Sequence, residues 1–168
     1  KGGKDRRGIK EIQGQERQDP RKAGQTLKEP ALSGQHHFWL TYEEIVRIHN
    51  DLVSEQEVDT QGILSPGNLM VAVQTPNLSF FGIVPYENLC QKVAKMMYDI
   101  ITLHPFVDGN KRTGFQVGVV TLHTNHHEID CPEEESVNLM VDVAKGEKGY
   151  PDLLDFLNKY SYRDPEPK

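Results

Sequence analysis

Apolar residues recur at helical spacing in six separate stretches of this chain, and the strict alternation of a half-buried strand is not a convincing description of any of them. Thr41-Tyr42-Glu43-Glu44 forms a capping box, in which Thr41 and Glu44 each satisfy a backbone N–H of the other, and Leu40 and Ile45 are spaced to staple across the first turn. Ile45, Ile48, Leu52 and Val53 share one face and predict a helix to about Ser54. Ser65-Pro66 reads as the cap and first residue of a short helix through Leu69, Met70 and Val73 that stops before Thr75-Pro76. A longer helix beginning at Pro85 or Tyr86 carries Leu89, Val93, Met96, Met97, Ile100 and Ile101 as a broad stripe and ends at His104-Pro105. From Asn110, apolar residues lie nearly all round the next helix (Phe115, Val117, Val119, Val120, Leu122), which predicts a central position buried by the others. Glu133, Glu134 and Glu135 after Pro132 open a fifth helix running to about Lys145, the acidic run complementing the helix dipole rather than forming a metal site. The sixth, Asp152 to Tyr160, closes a bundle through Leu153, Leu154, Phe156 and Leu157, with Pro165 and Pro167 marking a frayed end over 163–168.

Composition divides the chain. Residues 1–37 hold nine Lys/Arg against five Asp/Glu and almost no large apolar residue, whereas the remainder holds ten against twenty. A segment so poor in apolar surface is expected to be a disordered basic tail or, since no Met begins it, partly an addition to the native chain. The 168 residues then read as one folded domain over 38–162 plus that tail. The acidic folded part argues against broad nucleic-acid binding, although the basic tail could contact RNA or an acidic partner weakly. No run is apolar and long enough to span a bilayer, and no signal-peptide pattern is present, so no membrane partner and a cytoplasmic location are expected. Cys90 and Cys131 lack CxxC spacing and fit a reducing compartment, in which the Asn77-Leu78-Ser79 glycosylation match is accidental. His123, His126 and His127 are spaced for a metal on one helix face, but no further ligand completes a site, and a polar corner is the better reading.

Chemistry concentrates in His104-Pro105-Phe106-Val107-Asp108-Gly109-Asn110-Lys111-Arg112-Thr113-Gly114, between the third and fourth helices. The N–H groups that open a helix lack partners within it, and the dipole adds positive charge, so Lys111, Arg112 and Thr113 are placed to hold an anion, phosphate above all. Phosphoryl transfer needs charge neutralisation, alignment and a base near the attacking hydroxyl. Asp108 is a hard oxygen ligand suited to Mg²⁺, and Gly109 lets the backbone approach. Asn110 reads as an N-cap whose amide turns toward a phosphate oxygen; Arg112 offers a planar donor fork and Lys111 a point charge. An imidazole is the side-chain type best suited to proton transfer at neutral pH, so His104 is the natural base for a Ser, Thr or Tyr hydroxyl. Phe106 is the apolar anchor. Each residue alone has an ordinary structural explanation, a helix-end cation, a cap or solvated charges; their convergence around one glycine favours a site. His49 reads as a helix residue packed near it rather than as a ligand.

This segment resembles the signature of the Fic/Doc superfamily. Its Fic branch reads H-x-F-x-(D/E)-G-N-G-R-x-x-R and its Doc (death-on-curing) branch H-x-F-x-D-(A/G)-N-K-R-T, the form matched here. The likeness runs from about Trp39 to about Tyr160, including an Ile-His-x-x-Leu pattern late in the first helix. It implies an all-α fold, a compact bundle of about six helices with a short flap hairpin supplied by residues 58–65 or 77–84. It also implies transfer from ATP, with Mg²⁺, to a hydroxyl side chain of a target protein. By position, His104 corresponds to the base, Asp108 to the Mg²⁺ ligand, Asn110 and Arg112 to phosphate contacts and Phe106 to the buried anchor.

Two departures bear on the reaction. Lys111 stands where the Fic branch has Gly, and Phe115 where it has a second Arg. In the Doc branch the Lys accompanies an inverted nucleotide that presents its γ-phosphate, so the resemblance implies a toxin-like kinase acting on Ser/Thr of a translation factor. AMP transfer is the alternative, and a non-catalytic nucleotide- or partner-binding regulator is an alternative of another class. The inhibitory (S/T)-x-x-x-E-(G/N) pattern of Fic enzymes is missing from the sequence. Doc toxins are instead neutralised by a separate antitoxin, which makes such a protein an expected partner.

Overall fold

In the computed structural model, residues 37–54 and 62–164 are described. Six α-helices follow in order: α1 Tyr42–Val53, α2 Pro66–Gln74, α3 Leu89–Leu103, α4 Asn110–Thr124, α5 Glu133–Lys145 and α6 Tyr150–Tyr160. A 3₁₀ turn, Thr75–Asn77, prolongs α2. The starts of α1 and α2 are set by the side chains read from the sequence. Glu44 accepts the Thr41 N–H at 2.8 Å while the Thr41 hydroxyl accepts the Glu44 N–H at 3.3 Å, closing the capping box of α1. Ser65 accepts the Asn68 N–H at 3.3 Å, and Pro66 opens α2.

Three expectations are corrected. The third helix does not begin at Pro85 or Tyr86: Asn88 caps it, accepting the Gln91 N–H at 2.9 Å while the Gln91 side chain accepts the N–H groups of Glu87 and Asn88. A reciprocal cap satisfies three amides, whereas Pro85 merely tolerates a helix start. The last helix starts two residues early, at Tyr150, because the Asp152 carboxylate reaches back to the Gly149 N–H at 2.8 Å. Two strands also occur, β1 His127–Ile129 and β2 Ser161–Arg163, paired antiparallel with Glu128 opposite Tyr162. Arg163 therefore belongs to a strand rather than to a frayed end; residues 165–168 and the tail before His37 lie outside the described residues.

Two buried clusters make the core. Val93, Met97 and Ile101 of α3 pack with Leu122, Met140, Leu153 and Leu157. Met96 and Ile100, on its other face, pack with Ile45, Leu69, Phe106 and Val117. So α3 supplies more than α4 to each cluster, and Val119 and Val120 of α4 stay half-buried. α4 nestles against α3 through Gly114 and Gly118: a Cβ at 114 would lie 2.8 Å from Ile101 Cγ1 and 3.2 Å from the Met97 carbonyl oxygen, and one at 118 would lie 2.5 Å from Met97 Sδ. This close approach places the start of α4 against the end of α3. Among the described residues no helix is long and apolar enough to cross a membrane.

Candidate active site

The loop between α3 and α4 is fixed from both sides. His104 ends α3 in the left-handed region, φ 48° and ψ 58°, a conformation that costs an L-residue about 1 kcal/mol or more and reverses the chain sharply. The Asn68 amide donates to the Leu103 carbonyl at 2.7 Å, satisfying one of the free carbonyls of the helix end. Pro105, buried, accepts the N–H groups of Leu64 at 2.8 Å and Ser65 at 3.0 Å, and Val107 donates to the Gly62 carbonyl at 3.1 Å. Residues 62–65 thus run antiparallel along the loop, with Ile63 opposite Phe106. Of the two segments read as a flap, 58–65 touches the loop through its described end, its remainder lying outside the described residues. The segment 77–84 forms a tight turn in which Phe80 and Ile83 exchange both backbone bonds.

Phe106 is fully buried and stacks on the imidazole of His49, centroids 3.8 Å apart and planes 10° from parallel. Asn110 closes the loop upon it: its Oδ1 accepts the Phe106 N–H at 3.0 Å and its Nδ2 donates to the Phe106 carbonyl at 2.9 Å. Gly109, at φ 73°, is the N-cap of α4, so Asn110 is the first helical residue and not the cap expected of it. Its side chain is turned into the loop, and its backbone N–H is left without a partner in the helix. A Cβ at 109 would meet Val53 Cγ1 at 3.0 Å as well as straining the backbone.

The first intrahelical bond of α4 runs from the Thr113 N–H to the Gly109 carbonyl, 2.8 Å. Thr113 therefore does not join the anion site: its N–H is occupied, its side chain is fully buried, and its hydroxyl lies 3.0 Å from His49 Nδ1. The N–H groups of Asn110, Lys111 and Arg112, ahead of that bond, open the helix without a partner in it. Of the polar side chains in this segment, those of His104, Asp108, Lys111 and Arg112 are exposed. Arg112 faces Asp108 at 3.9 Å and reaches the Leu52 carbonyl of α1 at 3.4 Å, both long contacts that leave the guanidinium about half exposed. On its other side, Lys111 and Arg112 border a cleft of about 150 Å³ whose walls are Phe115 with Ser136, Val137, Met140 and Val141 of α5. The position at which the Fic branch has its second Arg is thus a wall of this cleft.

His49 is the residue whose reach was least visible in the sequence. It is fully buried, and its Nε2 has no hydrogen-bond partner among the described residues. Burial, foremost, and the nearby charge of Arg112 hold its imidazole below the ordinary histidine range, while Asp108 opposes them. Of the other candidates, His123 pairs through Nδ1 with Glu128 at 2.7 Å, and His127 Nδ1 lies 2.9 Å from the Asn125 carbonyl oxygen, a polar corner leading into β1.

Comparison with known proteins follows the same segment. Residues 39–122 match the profile described as "Fic/DOC family". Over 80 residues the chain is 32% identical to the protein named Toxin Doc of Mycolicibacterium smegmatis, a match covering 46% of this chain and 62% of that relative.

Proposed function

Because the chain belongs to the Fic/DOC family, we propose that it is a toxin-like, protein-modifying transferase of the Doc type, which moves the γ-phosphate of ATP to a Ser/Thr hydroxyl of a target protein. The observation that carries this reading is the juxtaposition, in one loop, of three helix-opening amides with an exposed imidazole, an exposed carboxylate and two exposed cations. Amides aimed at one point from a rigid helix stabilise a transferring phosphoryl group without reorganising during the reaction.

The placement supports a role for each of these residues. The amides of Asn110, Lys111 and Arg112 cradle the phosphate, and the Arg112 fork and Lys111 ammonium neutralise its oxygens. His104 accepts the proton of the acceptor hydroxyl as its oxygen bonds to phosphorus and the bond to the leaving ADP oxygen breaks. The donor set fits Mg²⁺: Asp108 offers one exposed carboxylate, and among the described residues no group of three or more His, Cys, Asp or Glu is gathered for a metal. That arrangement suits a cation that takes its remaining oxygens from phosphates and water. When bound, Mg²⁺ supplies charge neutralisation at the phosphates. Lys111 and Phe115 favour γ-phosphate transfer over AMP transfer, since a bulky cation occupies the helix start and the second Arg is replaced by an apolar wall. A translation factor is the expected target, and a separate antitoxin the expected inhibitory partner.

The test is incubation of the purified protein with lysate of its source and ATP labelled at either the α- or the γ-phosphate. Label on protein from the γ-position only, lost in His104→Ala, is the expected result. Label from the α-position would replace the assignment by AMP transfer, and binding of ATP with no label from either would leave a regulator without chemistry.

A further inference from the structure

The motif loop rests on the last turn of α1, and His49 touches it at three places. Its ring stacks on Phe106, before the turn; its Nδ1 lies 3.0 Å from Thr113 Oγ1, after the turn; and its Cε1 lies 3.5 Å from where a Cβ on Gly109 would stand, at the turn itself. The other contacts made to the loop from outside each reach one part of it: Val53 meets Gly109, the Leu52 carbonyl meets Arg112, and residues 62–65 bond to Pro105 and Val107. A flat apolar ring would serve the stack alone. An imidazole adds a polar edge toward Thr113, at the cost of burying Nε2 without a partner among the described residues. A neutral ring with its proton on Nδ1 donates to the threonine hydroxyl and leaves only a lone pair in the apolar surroundings.

An amide cradle holds an anion by partial positive charge and hydrogen bonds, and both depend on how its N–H groups are oriented. Where the N–H groups of residues 110–112 stand depends on the left-handed turn at Gly109 and on the place of the first turn of α4 relative to Phe106. We infer that His49 is a positioning residue for the phosphate-binding turn, setting the separation of Phe106 and Thr113 so that the amides of residues 110–112 meet on one phosphate. The inference rests on the reading of that turn as a phosphate site. His49 itself touches no substrate.

The experiment measures binding of tripolyphosphate to the full chain by calorimetry, with thermal unfolding alongside. His49→Phe keeps a stacked ring and loses the bond, Thr113→Val loses the same bond from its other end, and Thr113→Ser keeps the hydroxyl. Expected are losses of about tenfold in affinity for His49→Phe and Thr113→Val, no further loss when they are combined, and affinity within about twofold of the parent for Thr113→Ser. Unchanged affinity in Thr113→Val, with the parent binding normally, overturns the inference and leaves the phosphate site standing; so do losses that simply add. Should His49→Phe fail to fold, the Val and Ser pair at 113 decides the matter. Failure of the parent itself to bind tripolyphosphate removes the phosphate site and the inference with it.

Discussion

Asn110 holds both backbone groups of Phe106, accepting its N–H at 3.0 Å and donating to its carbonyl at 2.9 Å, all of it buried. The first residue of α4 is thereby locked to the anchor of the loop that precedes it. Asn110→Ala leaves two buried backbone groups unpaired, and each costs about 1–3 kcal/mol when not reached by water. The expected outcome is a loss of at least that single-group cost in urea unfolding, with weakened nucleotide binding. Unchanged stability would mean that water replaces the amide.

His104 is an imidazole in a conformation that glycine adopts freely. If the fold alone chose this residue, His104→Gly would be a gain. Relief of the left-handed strain is expected to leave stability equal or higher, by up to about 1 kcal/mol, while general-base loss lowers transfer by about 10²–10⁴-fold. Denaturation midpoints and γ-phosphate transfer, measured on the same preparation, separate the two effects. A destabilised but fully active variant would remove His104 from the chemistry.

What the sequence made legible is what neighbouring residues decide. Thr41 with Glu44, Ser65 with Pro66 and the acidic start at Glu133 each announce a helix end within four residues, and each helix begins where they place it. Asn88 with Gln91 is the same signal and was readable, but Pro85 competes with it three residues earlier. The strands were not readable, because three residues cannot show alternation and their register comes from pairing His127 with Arg163 across α5 and α6. The site divides the same way. Its residue types and order lie in one segment, but the buried side chain of Thr113 meets His49, 64 positions away, and the start of α4 depends on the positive φ of Gly109.

The glycines of α4 differ in what opposes a side chain. At Gly114 a methyl would press on the β-branched Ile101 and on the Met97 backbone carbonyl, neither of which yields easily; at Gly118 it would press on the flexible thioether of Met97. Alanine gains about 1 kcal/mol of helix propensity at either position, and overpacking costs about 1–3 kcal/mol where the neighbour cannot move. Gly114→Ala is therefore expected to destabilise clearly and Gly118→Ala little, by urea unfolding. The reverse order would place the close approach of α3 and α4 elsewhere.

The depressed titration of His49 sets a pH dependence of known sign. In the unfolded chain its imidazole regains the ordinary value of 6.5, above its value in the fold, where burial and Arg112 resist protonation and Asp108 favours it. Between those two values the unfolded chain binds more protons, so the free energy of unfolding rises with pH. The contribution is complete above about pH 6.5, declines as pH falls through the folded value, and is level below it; one proton limits the slope to about 1.4 kcal/mol per pH unit. Carboxylates titrating elsewhere overlap this range, and a comparison with His49→Phe cancels them, since that ring cannot charge. The expected outcome is that the parent loses stability relative to His49→Phe as the pH is lowered from 7 to 5. A difference that stays flat over that interval would show that the imidazole gains a proton partner in the fold, contrary to the unpartnered Nε2.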